Sequence, residues 1–244
     1  MRPDRHDRRS PEIIKHSGWV LPAAVLAAIG AVCALFLLYY LAPEPTALIE
    51  EHVSPTALVY PVHLKIGAIS FVVPANYLPY ESERTGGPRE RLVVYAELPD
   101  FRGYSAEKQA ELTETRARMA VIHILIRKEE FDVTEPMRLQ RIYLKEVIDR
   151  RGREGPFGLI QYSFRKDSGY RGEDLFVGRG RDGQIVMRCT RTGPEVPPPN
   201  CLREILLAPE VSLSYRFPRP DLADWRSIAR GVSHLVASFR STRH

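Results

Sequence analysis

The chain lacks the short motifs that announce common chemistries. There is no G-x-S-x-G, no H-E-x-x-H and no glycine-rich phosphate loop. No histidine lies between residues 124 and 233. The external histidines His52, His63, His123, His234 and His244 are scattered without metal-ligand spacing, so neither a metal site nor a cofactor is expected. Cysteine is scarce, with 3 in 244 residues. Charge is missing from one stretch altogether. From Trp19 to Leu41 no Asp, Glu, Lys, Arg, His, Asn or Gln occurs. Lys and Arg are also missing from residues 42–64.

The uncharged stretch predicts a transmembrane helix over 19–41. At about 1.5 Å per residue it spans roughly 34 Å, against a hydrocarbon core of roughly 30 Å. Trp19, Tyr39 and Tyr40 flank it at headgroup level. Residues 1–18 carry Arg2, Arg5, Arg8, Arg9 and Lys15, whereas the far side carries Glu44, Glu50 and Glu51. Positive charge stays in the cytoplasm, so the remainder is expected in the periplasm, on the outer side of the inner membrane. A cleaved signal peptide would need a shorter apolar core and a small residue at its exit. Tyr40-Leu41-Ala42 followed by Pro43 does not supply one. Val32 before Cys33 is too large for a lipoprotein cysteine, and Ser10-Pro11-Glu12 after Arg8-Arg9 lacks the apolar residues of a twin-arginine signal.

Net charge is +5, and beyond the tail the two signs nearly balance. That argues against nucleic acid, which needs a concentrated basic face. Two local clusters stand out, Arg150/Arg151/Arg153 and Arg179/Arg181. Solvated loops are one reading of them, and contact with anionic headgroups or an envelope polymer is the other. An exported domain meets an oxidising space, so Cys189 and Cys201 are expected to form a disulfide. The loop between them holds Pro194, Pro197, Pro198 and Pro199, which exclude helix and central strand.

Along the chain, prolines at 43, 45, 55 and 61 mark a linker over 42–61, with room for one short helix from Thr46 to His52. Val62–Ile66 and Ile69–Val73 read as a hairpin around Gly67-Ala68, followed by a loop from Asn76 to Pro88. Arg91–Leu98 alternates as a strand, then a turn-rich loop leads to a short helix capped by Ser105 and ending near Glu114. Met119–Ile126 reads as a central strand buried on both faces, with His123 as a core imidazole. Pro136–Val147 suits helix or strand, and Arg150–Gly158 reads as a loop. Leu159–Phe164, Leu175–Gly178, Gln184–Thr190, Cys201–Leu207 and Val211–Phe217 read as an antiparallel meander, with a hairpin turn at Asp182-Gly183. A closing helix runs from Leu222 to about Arg240, with Asp221 as N-cap. Trp225, Ile228, Val232, Leu235, Val236 and Phe239 form its apolar stripe. The fold class is therefore α+β: a transmembrane helix, then a domain over 62–240 of antiparallel sheet with a packed C-terminal amphipathic helix.

This order of elements resembles the PsbP/Mog1-type α/β sandwich, a scaffold used mostly for binding. The segments carrying the likeness are Gly67-Ala68-Ile69-Ser70-Phe71-Val72-Val73-Pro74 and Leu235-Val236-Ala237-Ser238-Phe239-Arg240. The cysteine-closed loop departs from it. The whole chain is similar to single-pass inner-membrane envelope proteins of Gram-negative bacteria.

Two loops carry aromatic and arginine side chains, Tyr77/Tyr80/Arg84 and Phe101/Arg102/Tyr104. Tyr and Arg are enriched in binding hot spots. The reading is a membrane-tethered, non-enzymatic periplasmic domain that binds a protein partner through these loops. A carrier of a small ligand or lipid would need an apolar pocket between sheet and closing helix. An envelope hydrolase has one constellation to offer, His63 with His123, if their strands are neighbours.

Overall fold

The computed structural model describes residues 18–41, 52–106, 121–181, 183–191 and 199–241. The chain divides into two compact units, Met1–Glu51 and His52–His244.

In the first unit α1 runs over Val20–Leu41, 22 residues without a charged side chain. Leu21, Leu26, Leu35 and Phe36 are all exposed. Side chains are described without a break from Leu21 to Leu37. Among the described residues no helix is long and apolar enough to cross a membrane. Residues 1–17 of the basic tail and the first half of the linker, residues 42–51, lie outside the described residues.

The second unit begins with residues 52–60, which form no regular structure but are bonded to the domain. The Ser54 amide donates to Pro79 O at 2.9 Å, and the Ala75 amide donates to Tyr60 O at 3.0 Å. β1 (Pro61–Ile66) and β2 (Ile69–Pro74) form the expected hairpin around Gly67-Ala68. The expected loop after it hides a third strand. β3 (Gly87–Arg89) pairs parallel to β1 and completes a three-stranded sheet, β2-β1-β3. A side chain at Gly86 would meet His63 O at 2.7 Å, and its φ of +73° is left-handed, so glycine is required there.

The second sheet has eight antiparallel strands. They are β4 (Arg91–Glu97), β5 (Val121–Lys128), β6 (Arg153–Glu154), β7 (Ile160–Ser163), β8 (Glu173–Gly180), β9 (Gly183–Thr190), β10 (Asn200–Ala208) and β11 (Val211–Pro218). Their spatial order is β4-β5-β11-β10-β9-β8-β7-β6. β6 lies inside the expected Arg150–Gly158 loop. α2 covers residues 135–146 as an α-helical turn, a π segment over Leu139–Tyr143 and a final turn. That settles the ambiguous segment as helix. The Thr134 hydroxyl caps it by accepting from the Met137 amide at 3.4 Å.

The core explains the layers. Ile122, Ile124 and Ile126 of β5 and Val211, Leu213, Tyr215 and Phe217 of β11 point to one face. There they meet β1, β2 and α3 (Trp225–Phe239) in one cluster. The α3 stripe is as expected, with Trp225, Ile228, Val232, Val236 and Phe239 buried. A second cluster on the opposite face joins Leu139 and Tyr143 of α2 to Tyr162, Leu175, Val177 and Val186.

Three expectations are corrected. β5 is buried on one face only, because Val121, His123, Leu125 and Arg127 alternate away from the core. His123 is thus an exposed residue and not a core imidazole. Asp221 does not cap the closing helix. It sits in a 3-10 turn, Arg219–Asp224, and α3 starts at Trp225 after Asp224, which makes no side-chain cap bond. Most of the helix expected after Ser105, and residues 192–198 of the proline loop, lie outside the described residues.

The large sheet is not evenly zipped. β9 and β10 pair over three residues, Cys189↔Cys201, Arg188↔Leu202 and Met187↔Arg203. Beyond that point they splay apart, and the start of α2 fills the gap. Glu135 Oε1 accepts from the Val186 amide at 3.0 Å and from Arg203 Nε at 2.9 Å. Its Oε2 accepts from Arg203 Nη2 at 2.7 Å. One carboxylate therefore satisfies an edge amide that the sheet leaves open and neutralises a buried guanidinium.

Candidate functional site

The two sequence-marked loops lie side by side, over residues 75–89 and 98–106. The Tyr104 amide donates to Asn76 O at 2.8 Å, Asn76 Nδ2 donates to Tyr104 O at 3.2 Å, and the Tyr77 hydroxyl donates to Phe101 O at 3.2 Å. Their side chains divide into two kinds. Tyr77 and Phe101 pack against the core, with the Tyr77 ring 5.0 Å from Phe239 in an edge arrangement. The Phe101 ring lies directly over Gly231 of α3. Arg84 is a clamp: its Nε and Nη2 donate to Leu78 O, and Nη2 also donates to Ser54 O. Tyr80 is hydrogen-bonded to Tyr95. Arg102 remains exposed, with Asp100 at 3.6 Å.

Between the loops and the edge strand lies a cleft of about 150 Å³, lined by Tyr77, Pro79, Tyr95, Arg102, Tyr104 and Val121. Burial pushes the Tyr95 phenol up to about 12, helped by Tyr80 and by the Glu83 charge. Burial also raises the Tyr77 phenol, against the Gly103 amide bond and the Arg102 charge, which lower it. Both rings stay neutral hydrogen-bonding groups near neutral pH. Beside the cleft, the Tyr95 and His123 rings are in contact, with centres 4.2 Å apart and planes tilted by 54°. Contact with this ring desolvates one side of an otherwise exposed imidazole, which lowers its pKa, and the Arg216 charge lowers it further. His123 and His63 do not meet. They belong to different sheets, and each alternates away from the common core.

Cys189 and Cys201 are bonded, with Cα atoms 4.0 Å apart, directly across the β9–β10 junction. Among the described residues no group of three or more His, Cys, Asp or Glu can hold a metal.

Sequence reasoning missed a second concavity. Between α3 and the β8–β10 region lies a cavity of about 310 Å³ whose lining includes Glu135, Arg179, Arg181, Arg203, Arg226 and Arg230. It occupies the place where a carrier would hold an apolar ligand, but its lining mixes six charged side chains with the apolar Ile185, Ile205 and Ala229. Arg179 and Arg181 were visible as a sequence cluster. Their meeting with Arg226, Arg230 and Arg203 was not, because these come from separate elements.

The geometry defines an α+β domain with an antiparallel sheet, a C-terminal helix and one internal disulfide. No family model matches the chain, and no curated protein matches it. Its structure is similar to that of an immunity protein of the Stenotrophomonas maltophilia type IV secretion system. That match has 20% identity and a TM-score of 0.52, and it covers 75% of this chain and 94% of that one. It is also similar to the iron-regulated outer membrane lipoprotein FrpD of Neisseria meningitidis, at 14% identity and a TM-score of 0.46, over 78% and 96% of the chains. The first is a likeness of fold. The expected likeness to PsbP/Mog1-type sandwiches is not shown by these comparisons.

Proposed function

We propose that the chain is a single-pass inner-membrane protein whose disulfide-bonded domain lies in the periplasm and binds a protein partner without catalysing a reaction. The anchor reading is supported by the 22 uncharged residues of α1. At about 1.5 Å each they reach about 33 Å. The basic residues before them and the acidic ones after them support the orientation. The bonded cysteines suit an oxidising compartment. The fold shared with a secretion-system immunity protein supports a protein partner in the envelope.

The observation that carries the binding reading is the cleft where both loops converge on the edge strand, with exposed Arg102 at its rim and three tyrosines in its walls. Aromatic walls beside an exposed guanidinium are the composition of interface hot spots. The sequence-marked residues then take different roles. Arg102 and Tyr104 face the partner, and Tyr77, Tyr80, Arg84 and Phe101 hold the loops that present them.

The test is site-specific photocrosslinking of the full chain in cells. Probes at positions 102 and 104 should give one discrete adduct, and a probe at exposed His234 on α3 should give none. Absence of adducts at 102 and 104, or the same adducts from all three sites, sinks the reading.

A further inference from the structure

The arginine cavity under α3 is distinct from the loop cleft and goes beyond the proposed partner role. Several of the less exposed guanidiniums are matched with carboxylate. Arg188 pairs with Glu173 at 2.6 Å, and Arg191 and Arg219 pair with Asp174 at 2.9 and 2.8 Å. Arg203 on the cavity floor follows the same rule through Glu135 and donates its remaining Nη1 to the Tyr215 hydroxyl. The other four do not. Arg226 donates to Phe157 O at 3.4 Å and lies 4.2 Å from the centre of the Trp225 ring. Arg230 donates to Ser227 Oγ at 3.3 Å. Among the described residues neither these two nor Arg179 and Arg181 have a carboxylate at ion-pair distance.

The geometry points to a binding site for a compact polyanion bearing phosphate or carboxylate groups. Four guanidiniums around one concavity, without a carboxylate partner among the described residues, repel one another and focus a positive field into it. Each offers a planar fork that matches an oxyanion two bonds at a time. Arg226 is already held in place by the Trp225 face and a carbonyl, so less side-chain entropy is lost on binding. The volume, about 310 Å³, is at the small end of ligand sites. No lining residue is aromatic, so nothing stacks bases, which disfavours single-stranded nucleic acid. A flat lipid surface does not enter a concavity.

The test uses the full chain in detergent with Trp19→Phe, which leaves Trp225 as the single tryptophan of the 2 present. Pyrophosphate and citrate are the two probes, titrated at constant ionic strength. Emission of Trp225 should change saturably, with half-change below about 1 mM for the better probe. Tighter pyrophosphate binding assigns phosphate to the ligand, and tighter citrate binding assigns carboxylate. By calorimetry, Arg226→Gln/Arg230→Gln and, separately, Arg179→Gln/Arg181→Gln should each weaken binding by about tenfold or more, because charge-assisted bonds are lost. Arg179 and Arg181 are exposed, so the second pair is free of folding effects. Arg150→Gln/Arg151→Gln, an exposed pair outside the cavity, should leave binding unchanged. No saturable signal up to about 10 mM, or equal weakening by the Arg150/Arg151 pair, overturns the assignment.

Discussion

At the scale of single residues, one buried ion pair and one imidazole set measurable behaviour. Glu135 and Arg203 are almost fully enclosed, with side chains 8% and 9% exposed. Removing one partner strands the other charge, and here also the Val186 amide. Glu135→Ala should cost about 3–5 kcal/mol in urea unfolding. Glu135→Leu/Arg203→Met should cost less than the sum of its single changes, since no lone charge is left behind. An additive double variant would show that the pair is not coupled. His123 gives a pH signature. Its folded pKa lies below the ordinary 6.5, through contact with Tyr95 and then the Arg216 charge. The neutral imidazole is therefore favoured in the folded state. Its contribution to stability is complete above pH 6.5 and declines as pH falls from there towards the folded pKa. An NMR titration should place this imidazole below 6.5, and Arg216→Gln should move it upward. An unchanged midpoint in that variant would remove Arg216 as a cause.

At the scale of elements, the joint between α3 and the second loop rests on one glycine. Glycine inside a helix usually costs about 1 kcal/mol relative to alanine. Here a Cβ at Gly231 would fall 1.9 Å from Phe101 Cε2. Gly231→Ala should lower stability by about 1–3 kcal/mol, against the propensity rule. In a Phe101→Ala background the same change should be neutral or favourable, as thermal unfolding of the four variants would reveal. Elements also show what a sequence can carry. The β10–β11 hairpin and the α3 stripe were legible because each buries one face, so period two and period 3.6 appear directly in the residues. α2 was not legible. Its buried Leu139 and Tyr143 stand four residues apart, as a helix requires, but the run Arg141-Ile142-Tyr143-Leu144 between and after them suits a strand equally well. β3 was missed because Gly87-Pro88-Arg89 has no alternation, and only a glycine turn brings it to β1. β5 misled because its open face also carries Val121 and Leu125, so a half-buried strand read as a buried one. The sequence marked two loops, and the structure sets them side by side. The sequence could not separate the clamp Arg84 from the exposed Arg102, because only tertiary carbonyls distinguish them.

At the scale of the whole molecule, the eight-stranded sheet is two four-stranded halves joined at β9–β10 by three residue pairs, a disulfide and the Glu135 plug. In the chain-entropy account a bond closing such a short loop contributes up to about 3 kcal/mol. Cys189→Ala/Cys201→Ala should lose up to that amount. Hydrogen exchange should accelerate most at residues 187–189 and 201–203, ahead of the β8 interior. Uniform acceleration across the sheet would mean that the halves do not part there.

The two halves also differ in how the chain must find them. β6 to β9 follow one another in sequence as they do in space, so that half assembles from near neighbours. The other half pairs Ile126 of β5 with Leu213 of β11 and closes over the loop between them, which contains the whole first half. Local pairings form quickly and distant ones slowly, because loop closure must come first. A chain emerging N-terminus first would thus hold β5, with β4 on one side, open on its other side until β11 arrives. During that interval the apolar Ile122, Ile124 and Ile126 lack the part of their cover that α3 supplies, so that unfinished edge is where a chaperone that binds apolar strands would be needed most.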